Sequence, residues 1–234
     1  MRNFYGNSFL KARGNNVAWN KMCSCILKLS LVWAFIFGIY TEGSSQCTCT
    51  DCRCSDSLEL VKLYNSADGV NWVIPWNLSN PMTSWHGVIL KNGRVTTLKV
   101  NAIQLAGTIP NINLPNLEVL NLSDNKLTGT IPNFNLPKLQ ILNFNNNQLT
   151  GTIPNLNLPN LTELILGFNQ LSGAIPNFNS PNLIRLYIND NQLSDAIPNF
   201  NLPNLQKLGF SYNKLTGKIP NFNLPNLAYL YGCP

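Results

Sequence analysis

The sequence predicts an α/β repeat solenoid. It should be an arc of stacked coils with a parallel β-sheet on the concave side, a mostly non-helical convex side and a helical, tryptophan-rich N-terminal cap. Three observations predict it. Ile-Pro recurs at one strict interval, at Ile109-Pro110, Ile131-Pro132, Ile153-Pro154, Ile175-Pro176, Ile197-Pro198 and Ile219-Pro220. Leu105, Leu127, Leu149, Leu171, Leu193 and Leu215 keep the same beat, as do Asn125, Asn147, Asn169, Asn191 and Asn213. Trp72, Trp76 and Trp85 crowd together ahead of the first coil. A period in the twenties marks units that cannot bury an apolar face alone and stack to share one core.

Composition excludes several classes. Charged residues make up 11% of the 234 and hydrophobic ones 44%, which is neither a disordered tail nor a nucleic-acid arm. The net charge of +6 is concentrated at the start: Arg2, Lys11, Arg13, Lys21 and Lys28 face only Glu42 before Gln46. No basic stripe remains to meet phosphates, so a nucleic-acid partner is not expected.

The chain opens with an export signal. Leu29 to Tyr40 is an uncharged, mostly apolar run behind positive charge. That suits a signal-peptide core and is short for a bilayer span, which takes about 20 residues. Gly43 and Ser45 set the expected cleavage near Ser45-Gln46, with Met22 as an alternative start and an uncleaved anchor as the rival. The expected organisation is signal peptide over 1–45, cysteine-rich tether over 46–56, cap over 57–94 and about six and a half coils over 95–234. The last coil stops at Tyr231-Gly-Cys-Pro234, ahead of its turn asparagine and Ile-Pro, so the array reads as truncated there. Contact with a membrane is expected only if the leader stays attached or a further C-terminal part anchors the chain. The protein is expected to be secreted or at the cell surface.

Cys47, Cys49, Cys52 and Cys54 cluster tightly in the tether. Thiolates at this spacing could hold a soft metal, but structural zinc usually draws ligand pairs from separated loops, and export favours oxidation. Disulfides or an irregular tether are therefore expected, and no metal. The exported cysteines number five, so Cys233 lacks a partner or pairs between chains.

Asp56 followed by Glu59 reads as a capping box opening a short helix through Leu58, Leu60, Val61, Leu63 and Tyr64. Asn65-Ser-Ala-Asp-Gly69 ends it. The three indoles then supply a lid for the open end of the first coil, with a sugar-stacking platform as the rival reading. Asn92-Gly93 makes a hairpin turn between Val88-Ile-Leu90 and Arg94-Val95.

Each coil carries a phrase such as Leu117-Glu-Val-Leu120-Asn-Leu122-Ser-Asp-Asn125, the pattern of a leucine-rich repeat. Leu120 and Leu122 should alternate inward from a short strand while Val119, Asn121 and Ser123 face outward. Asn125 should turn the corner inside and satisfy backbone groups of adjacent coils. Ile103 occupies that slot in the first coil, so the asparagine ladder should start one repeat late. Gly129 permits a backbone conformation other residues resist, and Pro132 and Pro137 hold the return path extended.

Thr83-Ser-Trp85-His-Gly87-Val88-Ile-Leu90-Lys-Asn-Gly93-Arg94-Val95, with the recurring Leu127-Thr-Gly129-Thr-Ile131-Pro132, resembles plant-type extracellular leucine-rich repeat proteins. The resemblance covers about Ser57 to Tyr231. It implies an extracellular, non-enzymatic module that binds a protein, peptide or glycan. Two departures stand out. The cap cysteines of the plant proteins fall at Thr83 and Leu90, and the 22-residue coil is shorter than the plant one, with a reduced Asn-Phe-Asn-Leu-Pro-Asn segment on its outer side. Similar modules occur on bacterial and protist surfaces, and the departures point toward those.

Function should lie in what varies between coils, because packing explains the rest. Two outward columns read Thr97, Val119, Ile141, Glu163, Arg185, Lys207, Tyr229 and Lys99, Asn121, Asn143, Ile165, Tyr187, Gly209, Tyr231. Phe168, Asp190 and Tyr212 flank them. Aromatic residues and Arg are enriched at interface hot spots. The candidate ligand-binding residues are therefore Glu163, Ile165, Phe168, Arg185, Tyr187, Lys207, Tyr212, Tyr229 and Tyr231. A structural or adhesive spacer, whose columns drift freely, is the alternative.

Two asparagine columns run along the return segment, Asn111 to Asn221 and Asn113 to Asn223. They read as hydrogen-bonded caps of an extended chain, with contact to ice or a crystalline polysaccharide as the lesser alternative. No catalytic motif appears, and His86, the single histidine, sits in the cap. Neither an enzyme nor a cofactor is expected. The sequons at Asn77, Asn121 and Asn160 matter only where the source glycosylates them.

Overall fold

The structure, a computed structural model, describes residues 53–232. The leader, Cys47, Cys49, Cys52 and Cys233 lie outside the described residues, and the side chain of Cys54 is likewise not described. Among the described residues no helix is long and apolar enough to cross a membrane.

Helix α1 spans Arg53–Ser66 and is followed by 3-10 turns at Gly69–Asn71 and Met82–Ser84. The hairpin β1 (Val88–Lys91) and β2 (Arg94–Lys99) turns through Asn92 and Gly93, both at positive φ (51° and 72°) as a tight hairpin turn demands. The concave strands follow at one per coil: β4 Val119–Asn121, β6 Ile141–Asn143, β8 Glu163–Ile165, β10 Arg185–Tyr187, β12 Lys207–Gly209 and β13 Tyr229–Tyr231. They pair in parallel in the order β1-β2-β4-β6-β8-β10-β12-β13, with β1 the antiparallel edge. Every register step between them is one full repeat, so Leu98, Leu120, Leu142, Leu164 and Leu186 stack in one fully buried row.

Short strands also form on the Leu-x-Gly phrase: β3 Ala106–Thr108, β5 Lys126–Thr128, β7 Thr150–Thr152, β9 Gln170–Ala174 and β11 Gln192–Ser194. They make two small parallel sheets, β3-β5 and β11-β9-β7. The glycine in this phrase has two reasons to be there. At Gly151, φ is +76° and an added Cβ would lie 2.8 Å from Thr130 Cγ2 of the preceding coil. Asp195 fills the same slot at φ 65°, one coil after threonine has given way to Ala174.

The asparagine ladder begins at Asn125. Its Oδ1 accepts from the backbone N–H of Ile103 and Leu105 (3.2 and 3.0 Å), and its Nδ2 donates to Val100 O at 2.9 Å. Asn147, Asn169, Asn191 and Asn213 repeat the arrangement. Each amide thereby pairs backbone groups that a tight corner would otherwise leave orphaned in the core.

Two expectations and one rival reading need correction. α1 starts at Arg53, so Asp56 lies inside the helix and forms no capping box. Its carboxylate, 1% exposed, instead takes Arg94 Nη2 at 2.7 Å, Arg94 Nε at 3.0 Å and the Val95 N–H at 2.9 Å. Glu59 accepts from Lys62 Nζ (2.6 Å) and the Asn113 N–H (2.9 Å), tying the helix to the first return segment. The cap is thus held to β2 by a partly buried ion pair.

The cap tryptophans form no sugar platform. Trp76 stacks between Tyr64 and Trp85 (ring centroids 5.9 and 5.0 Å), edge-on to Trp72, and all three indoles are buried. Each indole N–H finds a backbone carbonyl: Ala67 for Trp72, His86 for Trp76, and Asn77 and Asn80 for Trp85.

The outer asparagine columns are not hydrogen-bonded caps. Every member from Asn111 to Asn223 is exposed. Among the described residues their one side-chain hydrogen bond is Asn179 Nδ2 to Asn157 Oδ1, at a long 3.4 Å. The segment is extended, so alternate positions point opposite ways. Phe134, Leu156, Phe178 and Phe200 go inward, with Phe178, Phe200 and Phe222 stacked at 6.3 and 6.0 Å, while the asparagines go to water.

Candidate functional site

The one-repeat register places Glu163, Arg185, Lys207 and Tyr229 side by side in one column, and Ile165, Tyr187, Gly209 and Tyr231 in the next. Strand alternation aims all of them away from the core. Phe168 and Tyr212 flank Asp190 at the edge of the same face. All nine predicted residues therefore share one surface, over the last four strands.

Within it the side chains pair with one another. Arg185 Nη1 donates to Glu163 Oε1, an ion pair that orients a guanidinium whose side chain stays 42% exposed. Lys207 Nζ lies 5.0 Å from the Tyr229 ring centroid, a cation–π distance. Tyr229 and Tyr231 stand nearly parallel at 6.4 Å. Tyr187 and Tyr231 sit two strands apart, about 9.6 Å between backbones at ordinary strand spacing, yet their rings close to 6.4 Å. They lean over Gly209, where a Cβ would come within 2.8 Å of Tyr187 Cδ1. Gly209 shapes an aromatic cup, a role that spacing alone did not reveal; the single glycine in an otherwise side-chain-bearing column was the available signal.

Electrostatics favour a neutral phenol there. Burial raises the Tyr187 pKa above its ordinary value, Tyr231 and Glu163 add to the rise, and Arg185 opposes it. At neutral pH Tyr187 keeps its proton and can donate a hydrogen bond.

The N-terminal half of the face differs. Asn121 and Asn143 each accept from the backbone N–H two residues on, at 3.0 Å, so their oxygens already serve the turn. Ser123, expected to face out, is 5% exposed and donates to Asp124 Oδ2.

The edge carries strain. Asp124, Asn146, Phe168, Asp190 and Tyr212 hold one position per coil, and all are left-handed, with φ from 54° to 59°. Asp and Asn tolerate this region, whereas bulky rings there are outliers. Phe168 and Tyr212 remain 52% and 65% exposed, so burial does not offset the strain. Replacing Phe168 with Asn, the residue found one coil earlier, should stabilise the fold by about 1 kcal/mol. The urea midpoint reads this directly; a lower midpoint would mean that the ring packs favourably where it is.

No three His, Cys, Asp or Glu side chains converge on a metal position among the described residues. His86 is exposed in the cap.

Comparison with known proteins agrees with this architecture. The family model described as "Leucine Rich repeats (2 copies)" matches residues 115–158 and 137–180, and the "Leucine Rich Repeat" model matches 204–224. No curated protein matches the chain. Among solved structures, a Pollen Receptor Kinase 3 is 29% identical with a TM-score of 0.63, over 74% of this chain and 91% of that one. The BIR2 ectodomain from Arabidopsis thaliana is 30% identical with a TM-score of 0.60, over 72% and 97%. The BIR3–SERK2 complex from the same plant matches at 29% and 0.50, over 76% and 96%. The coils thus share the fold of plant receptor ectodomains. By its repeats, its register and these likenesses, the chain belongs to the leucine-rich repeat family.

Proposed function

We propose that the chain is a non-enzymatic recognition module, secreted or displayed at the cell surface, that binds a peptide or protein segment on the last four strands of its concave sheet. One observation carries the reading. The aromatic and cationic side chains of Arg185, Tyr187, Lys207, Tyr229 and Tyr231 form a continuous, half-exposed strip, while the same columns upstream hold no aromatic ring: Thr97, Val119 and Ile141 in one, and Lys99 with two asparagines engaged in turns in the other. Tyr anchors interfaces because it buries much area at little entropic cost with a hydroxyl at its tip, and Arg because its planar fork offers several oriented donors. A likeness to the BIR2 ectodomain and to a BIR3–SERK2 complex, an assembly of two proteins, supports the partner class. The short coil, with Thr83 and Leu90 where plant caps carry cysteine, supports a bacterial or protist source.

Panning a displayed random-peptide library on the purified protein supplies a ligand. The double change Arg185→Ala, Tyr187→Ala should weaken it by about 30-fold or more, equivalent to about 2 kcal/mol, with circular dichroism unchanged. Equal affinity sinks the reading in favour of a spacer whose columns are free to drift. A second reading, contact with ice or a crystalline polysaccharide, is favoured by the exposure of both outer asparagine columns. Thermal hysteresis of the purified protein decides it.

A further inference from the structure

A second surface lies on the flank that leads into the concave strands. A groove of about 650 Å³ runs there across the coils. Its wall is a column of asparagines, one per coil: Asn160, Asn182, Asn204 and Asn226. Each Nδ2 donates to a proline carbonyl of the preceding coil, Pro137, Pro159, Pro181 and Pro203, at 2.7, 3.0, 3.0 and 2.8 Å. That bond fixes each amide plane. It leaves every Oδ1 in the column without a donor among the described residues. The result is a row of four oriented acceptors at the coil repeat.

The rest of the lining is neutral. Gln140 and Gln206 contribute amides that bond to nothing among the described residues, and Ile184, half-buried, puts an apolar patch between them. Formal charge appears only at the N-terminal end, as Glu118 and Lys138, and Lys138 Nζ is held by Asn116 Oδ1 at 2.5 Å.

From this we infer that the flank groove binds a linear, neutral polysaccharide lying across the coils. Its hydroxyls donate to the asparagine oxygens and accept from the glutamine amides, and a sugar C–H face rests on Ile184. Spacing decides against a peptide. Adjacent coils are about 4.8 Å apart, whereas an extended peptide repeats its N–H groups on one side only every 6.6 Å or so. A peptide would lose register after one coil, while an extended pyranose chain advances close to one coil per sugar. The absence of a cationic row decides against an acidic glycan, whose carboxylates would meet uncompensated amide oxygens. This site is independent of the aromatic strip.

The test uses isothermal titration of the whole protein with cellohexaose, mannohexaose and xylohexaose, and with hexagalacturonate and a Gly-Ser peptide as comparators. At least one neutral hexamer should bind, and its dimer should bind at least tenfold more weakly, because it engages fewer coils. Gln140→Ala with Gln206→Ala should reduce that binding about tenfold; neither side chain makes a hydrogen bond among the described residues, so the variant remains folded. Arg185→Ala with Tyr187→Ala should leave it unchanged. Silence from all three neutral hexamers overturns the inference. So does binding that the glutamine changes do not touch, that the aromatic-strip changes abolish, or that only the acidic glycan or the peptide achieves.

Discussion

Trp76→Ala should destabilise the protein by about 4 kcal/mol, because it removes the centre of the cap and leaves a hole no neighbour can fill. Trp76 is 4% exposed and touches three rings: Tyr64 and Trp85 on its faces and Trp72 at its edge. Its indole N–H also satisfies the His86 carbonyl at 2.9 Å, which the change leaves unpaired. The consequence goes beyond the cap. A solenoid is held together by nearest-neighbour interfaces, so the first coil depends on the cap as each later coil depends on its predecessor. The cap grips that coil through Val73 N–H to Ile103 O (2.9 Å), Ala106 N–H to Ala67 O (3.1 Å) and the Asp56–Arg94 pair. Loosening it exposes Val95, Leu98 and Leu105, all fully buried in the intact fold. Urea unfolding followed by indole fluorescence should show a cap transition well before the far-ultraviolet circular dichroism of the sheet is lost. Coincident transitions with a midpoint near that of the unchanged protein would show that the cap is not what holds the N-terminal end.

Most of the fold was legible because a repeat states each rule several times. One residue per coil fixes the register, and the register alone brings Glu163, Arg185, Lys207 and Tyr229 into a row. What a period cannot state is how unlike neighbours settle against each other. The Glu163–Arg185 pair and the leaning of two tyrosines over Gly209 depend on side-chain lengths at positions where the repeat is broken. The cap was legible by composition and misread in detail. Asp56 with Glu59 has the spacing of a capping box, but the helix begins a turn earlier and the carboxylate is used by Arg94 and Val95. The outer asparagines were misread for another reason. The same residue type occupies turn, flank and surface positions in every coil, and only alternation along the extended segment tells which are satisfied.

That distinction makes a paired experiment within a single coil. Asn147→Ala should cost about 3 kcal/mol, whereas Asn155→Ala, further along the same coil, should stay within about 0.5 kcal/mol of the unchanged protein. Asn147 is 9% exposed. Its Oδ1 takes the buried Leu127 N–H at 3.0 Å, and its Nδ2 reaches Leu122 O, Phe144 O and Asn145 O at 3.0, 3.2 and 3.3 Å. Two of these groups belong to the preceding coil, so alanine leaves the Leu127 N–H without its acceptor and strips Leu122 O of one of its two donors, Asn125 Nδ2 remaining at 3.0 Å, across the interface that transmits stability along the stack. Asn155 is exposed and its side chain bonds to nothing among the described residues, so its removal exchanges one hydrated surface for another. Asn147→Asp sharpens the contrast: it keeps the acceptor for Leu127 but loses every donated bond and places a charge against three carbonyls, so it should be at least as damaging as alanine. Chemical denaturation of the three variants measures the differences. Equal losses at positions 147 and 155 would mean that the outer columns support the fold after all, and their exposure would need another explanation.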